Sequence, residues 1–76
     1  MRPLSLRAVN ANVYSVHAAD GLHVGYLKRI GTIWKFKAVG YDPDGSLLPG
    51  GGPLTDHHNT VLDAPDAVQL NAKLGA

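Results

Sequence analysis

Residues 12–28 read NVYSVHAADGLHVGYLK, two runs of alternating apolar and polar residues on either side of Asp20-Gly21. An Asp-Gly pair favours the positive φ angles of the two-residue turns that connect antiparallel strands. We therefore predict a β-hairpin in which Asn12–Ala19 pairs with Leu22–Lys28. Counted outward from the turn, its register pairs Tyr14 with Leu27, Ser15 with Tyr26, Val16 with Gly25 and His17 with Val24.

A third strand follows a predicted turn at Ile30-Gly31. Its register pairs Trp34 with Leu27, Lys35 with Tyr26 and Phe36 with Gly25, whose missing side chain leaves room for the phenyl ring. Side chains alternate between the two faces of a sheet, so the register sorts them. The face that we predict to be the core contains Tyr14, Val16, Ala18, Gly25, Leu27, Trp34, Phe36 and Ala38. The opposite, polar face contains Val13, Ser15, His17, Val24, Tyr26, Lys28, Ile33, Lys35 and Lys37.

The rest of the chain is divided by turn residues and ends in a helix. Residues 41–45 are typical of a turn, and Ser46–Leu48 predicts a short fourth strand. A Gly/Pro-rich loop covers residues 49–55, and Thr55 is expected to cap a single helical turn. Residues 1–9 alternate between apolar and polar residues, which fits either an edge strand or an ordered arm.

Residues 65–74 predict the C-terminal helix. Asp63 precedes it, Pro65 stands near its first position, and Gly75 follows as a stop. The apolar stripe of this helix has to cover the face that contains Trp34 and Phe36, because a bare apolar sheet face is not viable. The predicted fold is α+β, an antiparallel sheet of three to four strands (β-β-β-(β)-α) with one C-terminal helix packed on its apolar face.

Composition limits the class of protein. Seventy-six residues suit a single small domain over residues 1–76, and 45% apolar residues are too many for a disordered chain. The absence of cysteine excludes disulfides, thiol nucleophiles and cysteine-ligated metals. No apolar run approaches the ~18 residues of a membrane span, and the first residues lack the apolar core of a signal peptide. We therefore expect a cytoplasmic protein without a membrane partner or a cofactor.

Charge is divided unevenly along the chain. Residues 1–40 contain six of the seven Lys and Arg residues but only one of the six Asp residues. On the predicted polar face, lysines can contact phosphates while an aromatic ring stacks on a base or meets a base edge. The candidate nucleic-acid-binding residues, for DNA or RNA, are Tyr26, Lys28, Lys35, Lys37 and His17. The alternative is a solvated face whose lysines discourage aggregation.

Two other segments could carry chemistry. The glycines of residues 50–52 could bring backbone amides to an anion, but the loop lacks the Lys-Ser/Thr ending of a P-loop, so a flexible or tightly packed connector is preferred. Adjacent side chains at His57 and His58 point in different directions, and His17 and His23 fall on opposite faces, so we expect no metal site. One histidine and Asn59 are instead expected to cap backbone groups.

These observations favour a non-enzymatic binding module with nucleic acid as its partner. The main alternative is a protein-interaction module or a subunit of a larger assembly, including a homo-oligomer, that uses an uncovered sheet edge or a Val13/Val24/Ile33 patch. A hydrolase that uses the His57–Asn59 segment is a more distant alternative.

The runs at residues 24–31, 34–38 and 49–55, together with His58-Asn59, resemble small bacterial proteins of unassigned function. The resemblance covers roughly residues 12–74 and assigns a role to no residue. Three antiparallel strands with a packed C-terminal helix are similar, at the level of the fold, to the DNA-binding domains of AP2 factors and the amino-terminal arm-binding domains of tyrosine integrases. Sites rather than folds decide function, so this similarity implies no binding residue.

Overall fold

The computed structural model describes residues 1–75 of the chain. Six antiparallel strands, one 3₁₀ turn and one α-helix follow one another along these residues. They are β1 (Ser5–Asn10), β2 (Val13–His17), β3 (His23–Ile30), β4 (Ile33–Tyr41), β5 (Leu47–Pro49), the 3₁₀ turn Thr55–His57, β6 (Val61–Leu62) and α1 (Ala67–Leu74). This confirms an α+β fold with an antiparallel sheet and one C-terminal helix.

The number of strands differs from the three to four that we predicted. Strands β1 to β4 lie side by side in chain order, and β5 and β6 share the far side of β4. β5 pairs with the C-terminal part of β4, and β6 pairs with Trp34 and Lys35 near its start. Of the two options for residues 1–9, the structure shows an edge strand. The two residues of β6 are too few to produce an alternating pattern, so the sequence did not reveal them.

The first hairpin has the predicted register in its middle but not at its turn. Tyr14 pairs with Leu27 and Val16 with Gly25, as expected, whereas His17 pairs with His23 instead of Val24. The turn has three residues, because Ala18 N donates to Leu22 O at 2.8 Å, and three-residue loops that end in a positive-φ glycine are a standard alternative. The register is restored by a β-bulge at Val24.

Because of the bulge, the residues of the polar face differ from those that we predicted. Val24 belongs to the main core cluster and is fully buried, so the proposed Val13/Val24/Ile33 surface patch does not exist as predicted. His23 pairs with His17 and therefore shares its face, where we had expected the two histidines on opposite faces. A single extra residue is enough for this change because side chains alternate along a strand.

The second hairpin is displaced by two residues from its predicted register. Ile30 pairs with Ile33 across a turn at Gly31, so Leu27 faces Phe36 instead of Trp34. A displacement of two residues preserves the face of every side chain, which is why the predicted core face remains correct. Gly25 lies diagonally from Phe36, and a Cβ atom at this glycine would come within 2.5 Å of the phenyl ring. The expected space for the ring is therefore confirmed.

Helix α1 packs on the predicted apolar face. Its Leu70 and Leu74 are buried in one cluster with Trp34 and Phe36. The helix begins at Ala67 rather than at the predicted residue 65, and its N-cap is Asp66, whose carboxylate accepts from Val68 N at 3.0 Å. Among the described residues, no helix is long and apolar enough to cross a membrane.

Asn71 of the helix ties the N-terminal segment to this core. Its Oδ1 accepts from Leu4 N at 2.7 Å and its Nδ2 donates to Leu4 O at 2.9 Å. The amide satisfies both backbone groups of a buried residue that precedes β1, and such groups are costly to leave unpaired. The position of β1 therefore depends on a contact between the two ends of the described chain.

Candidate functional site

The open face is the side of the sheet that faces away from α1. Its side chains form rows across the strands, because paired residues of neighbouring strands point to the same side. One row joins Arg7, Ser15, Tyr26 and Lys37, and the next joins Val13, Lys28, Lys35 and Val61. The structure thus brings the four predicted residues Tyr26, Lys28, Lys35 and Lys37 together as two directly paired sets.

Side chains within the open face contact one another through the Tyr26 ring and the ammonium groups of the lysines. Lys28 Nζ lies 5.7 Å from the centroid of the Tyr26 ring, within the range of a cation–π contact. Lys37 Nζ donates to Asn59 Oδ1. Lys28 is exposed and the other two lysines are partly exposed, so the charges are accessible to a ligand.

The open face carries basic residues on three strands, β1, β3 and β4. None of the six strands contains an acidic residue. Arg7 of β1 adds a fourth cation beside Ser15, and the sequence did not reveal it because the position of residues 1–9 was undecided. Arg29 lies next to Lys28 on β3, but its Nε donates to Gly31 O at the hairpin and it alternates to the other face.

His17 occupies one end of the open face in a cluster of rings. Its Nε2 lies 3.0 Å from Ser15 Oγ, and its ring centroid lies 5.2 Å from that of His23. His23 in turn packs edge-on against Tyr26 at 4.6 Å and hydrogen-bonds through Nδ1 to the hydroxyl of Tyr41 at 2.7 Å. The sequence did not indicate His23 and Tyr41 as site residues, because the bulge brings His23 to this face and Tyr41 belongs to β4 instead of to the turn predicted at residues 41–45.

His23 is the partly buried member of this cluster. Its Nε2 is buried and has no hydrogen-bond partner among the described residues. Burial lowers the pKa of His23 below its ordinary value of 6.5, and nearby His17 adds to this effect while the backbone of Gly25 opposes it. The imidazole therefore remains neutral to lower pH than an exposed histidine, and its ring can serve as an uncharged surface beside Tyr26.

The His57–Asn59 segment mainly completes the sheet. His58 Nδ1 accepts from Ala38 N at 3.0 Å, in the gap that β5 and β6 leave along β4. This confirms that one histidine caps a backbone group. Asn59 differs from the prediction because its side chain accepts from Lys37, while its own backbone N–H donates to Phe36 O. Among residues 1–75, no group of three or more metal-ligating side chains is present.

The glycine loop is packed against β4 rather than open to an anion. Gly50 N donates to Ala38 O at 2.7 Å, and Gly51 N donates to Leu48 O at 3.1 Å. A side chain at Gly52 would collide with the carbonyl of Val39, so the loop approaches β4 more closely than other residues allow. Thr55 does not cap the 3₁₀ turn as predicted, because its hydroxyl donates back to Gly50 O.

The same loop forms one wall of a shallow pocket of about 210 Å³ that opens on the open face. Val39, which is 3% exposed and lies outside the main core cluster, forms the base of the pocket. Tyr26, Leu47, Pro49 and His58 also line the pocket, with Lys28 and Lys37 at the rim. His57 lines a different pocket of about 190 Å³ beside the N-terminus, so the two adjacent histidines do point apart.

Comparison with protein-family models, with curated proteins and with solved structures finds no match to this chain. The similarity to three-stranded DNA-binding domains remains a prediction from the order of strands and helix.

Proposed function

We propose that the protein is a non-enzymatic module that binds nucleic acid, DNA or RNA, through its open face. The observation that carries the proposal is the direct pairing of Tyr26 with Lys37 and of Lys28 with Lys35. Lysines contact phosphates without regard to sequence, and the tyrosine ring offers a stacking surface. The proposal places the protein in the cytoplasm, a compartment that holds nucleic acid.

Distances across the sheet support contact with more than one phosphate. Neighbouring strands lie about 4.8 Å apart and residues two apart on a strand are separated by roughly 6.7 Å. Arg7 and Lys37, at the ends of one row, are thus roughly 14 Å apart. Four cations over this area, with no acidic residue in the strands, can follow a phosphate backbone instead of holding one isolated anion.

A matched pair of neighbouring residues tests the proposal. Lys28→Gln removes a charge from the open face, whereas Arg29→Gln removes the same charge one residue along β3, on the other face. We expect the lysine variant to weaken oligonucleotide binding and to lower the slope of log affinity against log salt by about 1, while the arginine variant changes little. Equal effects of the two changes, or no binding at low salt, would contradict the proposal.

Assembly through the exposed edge of β1 is the second candidate function. Within residues 1–75, β1 pairs only with β2, and five of its six residues are exposed, including Val9 at 58%. An unpaired edge strand can add a strand from a partner or from a second copy. Light scattering distinguishes this candidate: edge association gives a mass that rises with protein concentration in the absence of oligonucleotide, whereas our proposal expects the 8.0 kDa monomer.

A further inference from the structure

We infer that the pocket at the β4–β5 junction holds one unpaired base, so that the open face selects single-stranded over double-stranded nucleic acid. The inference rests on the proposed function and specifies which form of nucleic acid is bound. The pocket is bordered by Tyr26 and by two of the candidate lysines, Lys28 and Lys37. A base in the pocket would therefore lie beside groups that can contact its own phosphates.

The size and lining of the pocket suit a single flat ring. Its volume of about 210 Å³ is below the roughly 300 Å³ at which pockets for drug-sized ligands begin. Val39 provides an apolar base, and Leu47 and Pro49 provide apolar walls opposite the tyrosine. Flat aromatic rings gain most from such surfaces because they bury both faces without losing internal freedom.

His58 supplies the pocket with a polar group of defined orientation. Its Nδ1 accepts the backbone N–H of Ala38 at 3.0 Å. In a neutral imidazole the proton must then be on Nε2, which makes this second nitrogen a donor. A donor fixed by a backbone contact can pair with a ring nitrogen or carbonyl oxygen on the edge of a base.

The positive charge around the pocket favours a nucleotide over flat ligands that carry no phosphate. An apolar pocket with cations at its rim and no acidic residue in the surrounding strands complements a ring that is joined to a phosphate. Bases of a duplex are already paired and stacked, and one can enter only after being turned out of the helix at a cost of a few kcal/mol. Unpaired bases carry no such cost, so a preference for single strands follows.

Two adjacent leucines of β5 provide a matched test. Leu47 and Leu48 are both 40% exposed, but Leu47 lines the pocket whereas Leu48 alternates to the other side and contacts the Gly51 region. Binding is measured by fluorescence anisotropy with a single strand of about 12 nucleotides, with the duplex of the same sequence, and with a strand of the same length whose sugars lack bases. Leu47→Gln and Leu48→Gln are compared with the unchanged protein, and backbone NMR spectra check that each variant is folded.

We expect the unchanged protein to bind the single strand at least fivefold more tightly than the duplex or the strand without bases, as stacking of one base implies. Leu47→Gln should reduce single-strand affinity about five- to tenfold and leave duplex affinity unchanged, whereas Leu48→Gln should change neither. Equal affinity for strands with and without bases would overturn the inference but not the proposed function. Failure of all three probes to bind at low salt would overturn both.

Discussion

The two faces of the sheet are built from the same strands, yet they respond differently to errors of register. On the covered face, Trp34, Phe36 and Leu27 form one buried cluster with the leucines of α1. On the open face, the same strands present lysines, tyrosines and histidines, which contact one another across the strands but are not part of that buried cluster. When the pairing of two strands is displaced by two residues, a side chain on the covered face exchanges one apolar neighbour for another. On the open face, the same displacement changes which charged side chain lies beside which aromatic ring.

The comparison indicates which face stabilises a chain this small. A domain of this size buries only about 60% of its unfolded surface, so the covered face has to supply most of the stabilisation. The open-face residues Tyr26, Lys28, Lys35 and Lys37 lie outside the buried cluster and contribute less packing. Substitutions of adjacent residues that point to opposite faces should therefore have separate effects on folding and on binding.

The largest difference is expected between Phe36→Ala and Lys37→Ala on β4. Phe36 is fully buried, and removal of a buried phenyl ring costs about 3–5 kcal/mol. Lys37 points to the open face, and a surface substitution is expected to change stability by about 0.5 kcal/mol or less. Urea unfolding followed by tryptophan fluorescence measures both free energies of unfolding. Similar losses in the two variants would mean that the two faces do not differ in the way the structure shows.

The sequence predicted which residues share a face, because the face of a side chain depends only on whether its position along the strand is odd or even. The misplaced second turn shifted every pair by two, which preserved the partnership of Lys28, Lys35 and Lys37 with Tyr26 on one face. The first turn was one residue longer than expected, and the bulge at Val24 compensated for it. Only residues next to the bulge changed face, which explains the errors at Val24 and His23.

Contacts between distant parts of the chain could not be predicted in this way. The bond from Ala38 N to His58 joins residues twenty apart, and no local pattern announces it. The pocket requires β5, the glycine loop and this histidine to meet at Val39, and Arg7 joins the open face only through the placement of β1. Alternation specifies which side a residue occupies, but only the folded chain specifies its neighbours on that side.

An intermediate loss of stability is expected from a substitution at the start of α1, the helix that packs on the covered face. The sequence indicated Asp63 before the helix, whereas the structure gives the capping contact to Asp66. Loss of an N-cap carboxylate costs about 1 kcal/mol, so Asp66→Ala should reduce the free energy of unfolding by that amount. Asp63→Ala keeps the cap and should leave stability nearly unchanged in the same urea titration. A larger loss from Asp63→Ala than from Asp66→Ala would contradict the capping contact of Asp66.

The smallest effect concerns His23, which belongs to the open face but is partly buried like a residue of the covered face. Its pKa is lowered by burial, with His17 adding to the effect, so below its ordinary value of 6.5 the unfolded chain binds more protons at this site than the folded chain. The contribution of this histidine to stability is therefore fully present above pH 6.5, and it is lost as the pH falls from that value through the lowered pKa of the folded state. The other titratable groups in contact with it are the Tyr41 hydroxyl, which donates to or accepts from Nδ1, and Tyr26, whose ring packs edge-on against the imidazole.

Urea titrations across this pH range can isolate the histidine. His23→Gln should flatten the decline in the free energy of unfolding below pH 6.5, because the group whose protonation differs between the two states is gone. His57→Gln provides the matched control, since His57 lines the pocket beside the N-terminus and lies away from this cluster. If both variants retain the decline of the unchanged protein, His23 is as well hydrated as an exposed histidine. The position of His23 beside the bulge would then not make it more buried than the other residues of the open face.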